Sequence, residues 1–142
     1  MFNTDKLIAK AQQDTGLTDF GDVNFMEGLQ RLTESLNQEA RLNEVGVYVA
    51  GITIANSLVT RLKLEDYIRS HPEVLEREVE RPIFIVGLPR TGTTALHHML
   101  NQDESNHTLR LWEGRQPVPP PEDRTYTRDP RIQKEADGVS LT

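Results

Sequence analysis

The chain has no cysteine, and that absence removes both a disulfide framework and a thiolate metal site. It also lacks a basic excess: 16 Lys and Arg stand against 22 Asp and Glu, a formal net charge of -6. General nucleic-acid binding rests on a basic face, so the balance argues against a nucleic-acid partner. A small anionic ligand remains compatible, because one loop can be positive on an acidic protein. The N-terminus shows no basic stretch followed by an apolar core, the pattern of a secretory signal. Long hydrophobic runs are missing too. Val45 to Val59 comes nearest, but Gly46, Gly51, Thr53, Asn56 and Ser57 interrupt it, and a spanning helix needs roughly 20 predominantly apolar residues. A buried helix there, no membrane span and a cytoplasmic location are the expectation.

At 142 residues there is length for one modest domain with its own core. Asn3 to Thr15 reads as a short helix, with Thr4 as N-cap, Leu7, Ile8 and Ala11 as its apolar stripe, and Gly16 as a stop. Leu17 to Asn24 is a turn-rich connector. Phe25 to Val45 repeats apolar residues at helical spacing and predicts an amphipathic helix. A further helix is expected from about Val47 to Ile68, with Leu58, Leu62 and Leu64 as core candidates and Arg61 and Lys63 outside. His71-Pro72 marks its boundary, because the residue before proline is pushed out of the helical region. The charged stretch Glu73 to Arg81 reads as a solvated helix end leading into a sheet.

The most informative stretch follows. Ile83 to Val86 are uninterrupted apolar residues, as in a strand covered on both faces. Gly87 and Gly92 then bracket a turn at the spacing of a phosphate-binding loop, where backbone N–H groups and the start of a helix converge on an anion. The nucleoside-triphosphate version places lysine after the second glycine. Here Thr93 stands there, and the nearest cation, Arg90, lies inside the loop. The fold logic of a P-loop is kept without its triphosphate chemistry.

A helix from Thr93 to about Asn101 is expected next, then a second strand at Thr108 to Trp112, whose residues alternate. Pro117, Pro119, Pro120 and Pro121 impose an extended path. The tail from Glu122 to Thr142 is polar, with few core residues. The expected class is therefore α/β. A helical region (1–80) precedes the first strand–loop–helix–strand of a P-loop-like, three-layer parallel-sheet fold (81–116), followed by a proline-rich extended segment and polar tail (117–142). One such unit cannot close a parallel sheet, so the α/β part reads as truncated, the N-terminal piece of a larger protein. His97 and His98 are adjacent on a helix and point apart, which predicts one packed and one exposed imidazole; with His107 they form no convincing metal set. Trp112 reads as core.

The run Pro89-Arg-Thr-Gly-Thr-Thr-Ala-Leu96 after an apolar strand resembles the 5′-phosphosulfate-binding loop of sulfotransferases, in the bacterial branch whose loop reads Gly-x-Pro-Arg-Thr-Gly-Thr-Thr. Trp112-Glu113, the Pro117 to Pro121 run and Asp129-Pro-Arg131 are similar to further elements of that branch. The resemblance implies 3′-phosphoadenosine 5′-phosphosulfate as sulfuryl donor and a small-molecule or other hydroxyl-bearing acceptor. It implies donor contacts from Pro89, Arg90, Thr91, Gly92, Thr93 and Thr94, with Arg90 beside the leaving phosphate. Many sulfotransferases have lysine at that place; arginine keeps the charge in a forked set of donors. Glu113 fits the position of the acceptor base in several groups of the family. Its alternatives are a structural carboxylate pairing with Arg110 or Arg115, and a histidine base beyond Thr142. The competing functional readings are a degenerate P-loop kinase or nucleotide-binding protein, and an inactive truncated fragment. The acceptor's identity and the oligomeric state are not legible.

Overall fold

The computed structural model describes residues 1–139, and among these it contains helices and no strand. Helix α1, Thr4–Thr15, is capped by Asn3, whose Oδ1 accepts the Lys6 N–H at 2.9 Å. The expected cap, Thr4, lies one residue inside, and its hydroxyl meets that of Thr33 at 2.9 Å. Gly16 ends the helix in the left-handed region, its N–H bonded to the Gln12 carbonyl, as the stop signal predicts.

The second expected helix divides in two. Helix α2 covers Phe25–Gln38, the chain breaks at 39–43, and helix α3 runs Glu44–Ser70. Arg41 takes a positive φ of 45° in the break. Asn43 then starts α3 by accepting the Gly46 N–H at 2.8 Å. An asparagine cap interrupts an apolar periodicity that by itself looked continuous, and it assigns Val45 to the later helix. Helix α3 closes at His71-Pro72 as expected, followed by a 3-10 turn at Pro72–Glu76.

Ala11 of α1, Leu29 of α2, and Ile54, Leu58 and Leu62 of α3 form the core, with Phe2, Leu7, Ile8, Phe25 and Leu36 around it. Leu58 and Leu62 are buried as expected, whereas Leu64 is only half-buried. Arg61, expected outside, folds back onto the 17–24 connector. Its Nε donates to the Phe20 carbonyl at 2.7 Å and its Nη2 to the Asp22 carbonyl at 2.8 Å, with the guanidinium 4.5 Å from the Phe25 ring centroid. By length and composition alone α3 could cross a membrane. Its Ile54–Leu58–Leu62 stripe is instead occupied by α1 and α2. The expectation of a buried helix holds for that stripe only, because Val45, Tyr48, Val49 and Ile52 are exposed.

The second half departs further from expectation. Residues 83–86 are not part of any ladder, and Phe84 and Val86 are 81% and 91% exposed. A strand is defined by its neighbours, and the described residues supply none. The strand expected at Thr108 to Trp112 is also absent. From Leu111 the chain forms a single-turn helix, α5, Leu111–Arg115. Glu113 decides this locally by accepting the Arg110 N–H at 2.7 Å, a capping contact that an unpaired alternating segment has nothing to oppose. Between these segments lies helix α4, Thr93–Leu100, close to its expected bounds. The tail, expected to hold few core residues, turns through Tyr126–Arg128 into helix α6, Pro130–Val139, and buries Asp129. Ser140 to Thr142 lie outside the described residues.

Candidate functional site

Pro89 and Arg90 form a tight turn after Leu88, and the Thr91 hydroxyl locks it by donating to the Leu88 carbonyl at 2.6 Å. Arg90 (φ 66°) and Gly92 (φ 91°) both lie in the left-handed region. For Gly92 this is free of strain; for Arg90 it costs about 1 kcal/mol. Gly92 is also the N-cap of α4 and brings no side chain to it. The first intrahelical bond runs from the Leu96 N–H to the Gly92 carbonyl. The N–H groups of Thr93, Thr94 and Ala95 therefore face outward without an intrahelical acceptor. Such an arrangement can receive an anion, with hydroxyls from the threonines and an exposed guanidinium from Arg90.

Thr93 and Thr94 share a cavity of about 290 Å³ with Ile85 and His97. His97 stands one turn after the threonines and so lies on their face of the helix. It is half-buried while His98 is exposed, as expected, and the two rings meet edge-on at 5.9 Å. Among the described residues no His, Asp or Glu group is arranged to hold a metal.

Glu113 does not line that cavity. Its carboxylate is 6% exposed; Oε2 accepts the Arg110 N–H, and Oε1 lies 3.7 Å from the Nε2 of His107. Neither guanidinium considered for it is its ion-pair partner, since Arg115 pairs with Glu135 at 2.7 Å and Arg110 offers its backbone. Trp112 is core as expected, at 4% exposure, and its indole Nε1 is buried without a hydrogen-bond partner among the described residues. Tyr126 packs on it at 5.5 Å, and burial pushes the Tyr126 phenol up from its ordinary value. Sequence reasoning passed over His107, Tyr126 and Asp129–Arg131 as neighbours of Glu113. Only the short run Asp129-Pro-Arg131 stood out beforehand, and it stood out as a likeness without a role.

The family description "Sulfotransferase family" matches residues 82–141, a span that includes the loop, α4 and α5. Sulfotransferase STF1 from Mycobacterium tuberculosis has a crystal structure that superposes on 99% of this chain with a TM-score of 0.86 and 34% sequence identity. This chain belongs to the sulfotransferase family. A second member of known structure, STF9 from Mycobacterium avium, matches 97% of the chain at 33% identity and the same TM-score. This sulfotransferase-family chain spans 39% of the length of the first structure and 35% of the second. No curated protein matches it.

Proposed function

We propose that the chain carries the donor-binding loop of a sulfotransferase that moves a sulfuryl group from 3′-phosphoadenosine 5′-phosphosulfate to a hydroxyl on a small-molecule or other acceptor. The observation that carries this reading is the loop itself, where left-handed Arg90 and Gly92 lead into a helix start with free N–H groups. Pro89 and Thr91 hold the turn, and the amides and hydroxyls of Thr93 and Thr94 hold the 5′-phosphate. Arg90 stabilises the charge that develops on the leaving phosphate as its bond to sulfur breaks, the electrostatic assistance on which such transfers depend. The acceptor oxygen forms the new bond to sulfur, and Glu113 takes its proton through the oxygen that faces His107. In the same reading Ile83 to Val86 form a central strand of a three-layer parallel sheet, following a helical region over residues 1–80. The apolar, exposed side chains of Ile83, Phe84 and Val86 support that place.

Calorimetry with 3′,5′-adenosine diphosphate against ATP–magnesium tests the proposal. Binding of the former alone is expected, and preference for ATP–magnesium overturns it. A second reading, that these residues hold the loop without transfer activity, is favoured by the exposure of Phe84 and Val86. Binding of 3′,5′-adenosine diphosphate without any sulfuryl transfer identifies that case.

A further inference from the structure

The most enclosed ion pair among the described residues, Asp129 with Arg131, has no part in the transfer just described. Their side chains are 9% and 12% exposed. Arg131 Nε donates to Asp129 Oδ1 at 2.8 Å and Nη2 to Oδ2 at 2.6 Å, a forked pairing. Its Nη1 donates to the Gln116 and Pro119 carbonyls, both at 2.7 Å, and the guanidinium lies 4.7 Å from the Trp112 ring centroid. One side chain thus joins the start of α6, the proline-rich strap after α5, and the tryptophan next to Glu113.

Helix α5 has five residues, too few to hold itself in water. Its place must come from what is fixed against it. Thr60 of α3 reaches the Arg115 carbonyl at 3.2 Å, and Arg115 pairs with Glu135 of α6, but both contacts sit at its exposed end. Among the described residues, only Arg131 covers Trp112 and ties down Gln116 together. Lysine could supply the charge at this place. It could not supply two donors to one carboxylate and two more to separate carbonyls. Loss of the guanidinium would leave the Asp129 carboxylate with only the Arg131 backbone N–H and two carbonyls without their donor.

We propose that Arg131 is a positioning residue, which clamps residues 116–119 over α5 and thereby holds the Glu113 carboxylate in place. The proposal rests on the reading of Glu113 as the acceptor's base, but its test does not need turnover. In the 142-residue chain, amide exchange at Gly114 and Gln116 reports α5, and exchange at Arg110 reports the bond from its N–H to Glu113. Arg131→Gln should accelerate exchange at all of these by about tenfold or more. Arg131→Lys should do nearly the same despite keeping the charge, and it decides the matter if the glutamine variant does not fold. Glu113→Ala, which removes the acceptor where glutamine would keep one, should release Arg110. Loosening of Gly114 and Gln116 with Arg110 still protected would make Arg131 a mere strap fastener and overturn the proposal, as would full protection in the lysine variant. Calorimetry on the unaltered chain judges the donor reading separately, since the Arg131 variants are scored without any nucleotide.

Discussion

A Cβ built on Gly87 would stand 2.8 Å from the Thr91 hydroxyl and 2.9 Å from Cγ2 of Thr93. The glycine is there because the loop doubles back over it, and the Thr91 hydroxyl that it accommodates is the one that closes the turn onto Leu88. Gly87→Ala should break that closure and lower affinity for 3′,5′-adenosine diphosphate by about tenfold, the scale of one lost charge-assisted contact. The helical half, which shares no core with the loop, should melt as before by circular dichroism. Unchanged affinity would show that the closed turn does not shape the anion site.

Arg90 is tested by separating its charge from its backbone. Arg90→Ala and Arg90→Gly should both reduce binding of 3′,5′-adenosine diphosphate by about tenfold or more, because the cation is lost in each. The glycine variant should be the more stable of the two by about 1 kcal/mol, since φ 66° is unstrained for glycine. Arg90→Lys should keep most of the binding. Calorimetry and chemical denaturation together distinguish these outcomes, and equal affinity in the alanine variant would remove Arg90 from the site.

The helical half depends on Leu62, whose exposure is 0%. Leu62→Ala should destabilise it by about 2–5 kcal/mol, the transfer loss plus the cavity. Asn3→Ala, which removes the α1 cap, should cost about 1 kcal/mol. Urea denaturation measures both, and a Leu62→Ala effect smaller than the cap's would contradict the core as described.

Asp129 gives the clamp a pH dependence of defined sign. Hydrogen bonds from Arg131 hold its carboxyl down at about 2, below the ordinary 3.8. A carboxyl depressed in the folded state contributes stability that is complete above its unfolded value and is lost as pH falls through the folded one. The unaltered chain should therefore exceed Asp129→Asn in thermal stability at pH 5, and the difference should shrink between about pH 4 and pH 2. A constant difference across that window would mean that the ionised carboxylate is not what Arg131 grips.

Much of the loop was legible because its signals are local. Glycine spacing, a proline at the turn, and threonines at a helix start act on their own backbone, and α4 formed where they placed it. The bounds of α1 and α3 followed for the same reason, within a residue or a few, from Gly16 and His71-Pro72. The failures share a cause as well. Thr108 to Trp112 carry an alternation that a strand would need, yet Glu113 supplies a cap that a helix needs, and without a neighbouring strand the cap wins. Phe25 to Val45 looked like one helix because apolar period is blind to Asn43, whose side chain caps a new helix just after the break.

By itself the sequence determined the turn chemistry of Gly87 to Thr94 and the caps and stops of its helices, since those depend on side chains meeting backbone a few residues away. The tertiary structure decided that Arg131 closes over Trp112 and the strap, that the Glu113 side chain is buried, and that Ile83, Phe84 and Val86 stand uncovered. Each of these is set by which distant segments come into contact, and chain contacts across tens of residues leave no period or spacing in the sequence to read.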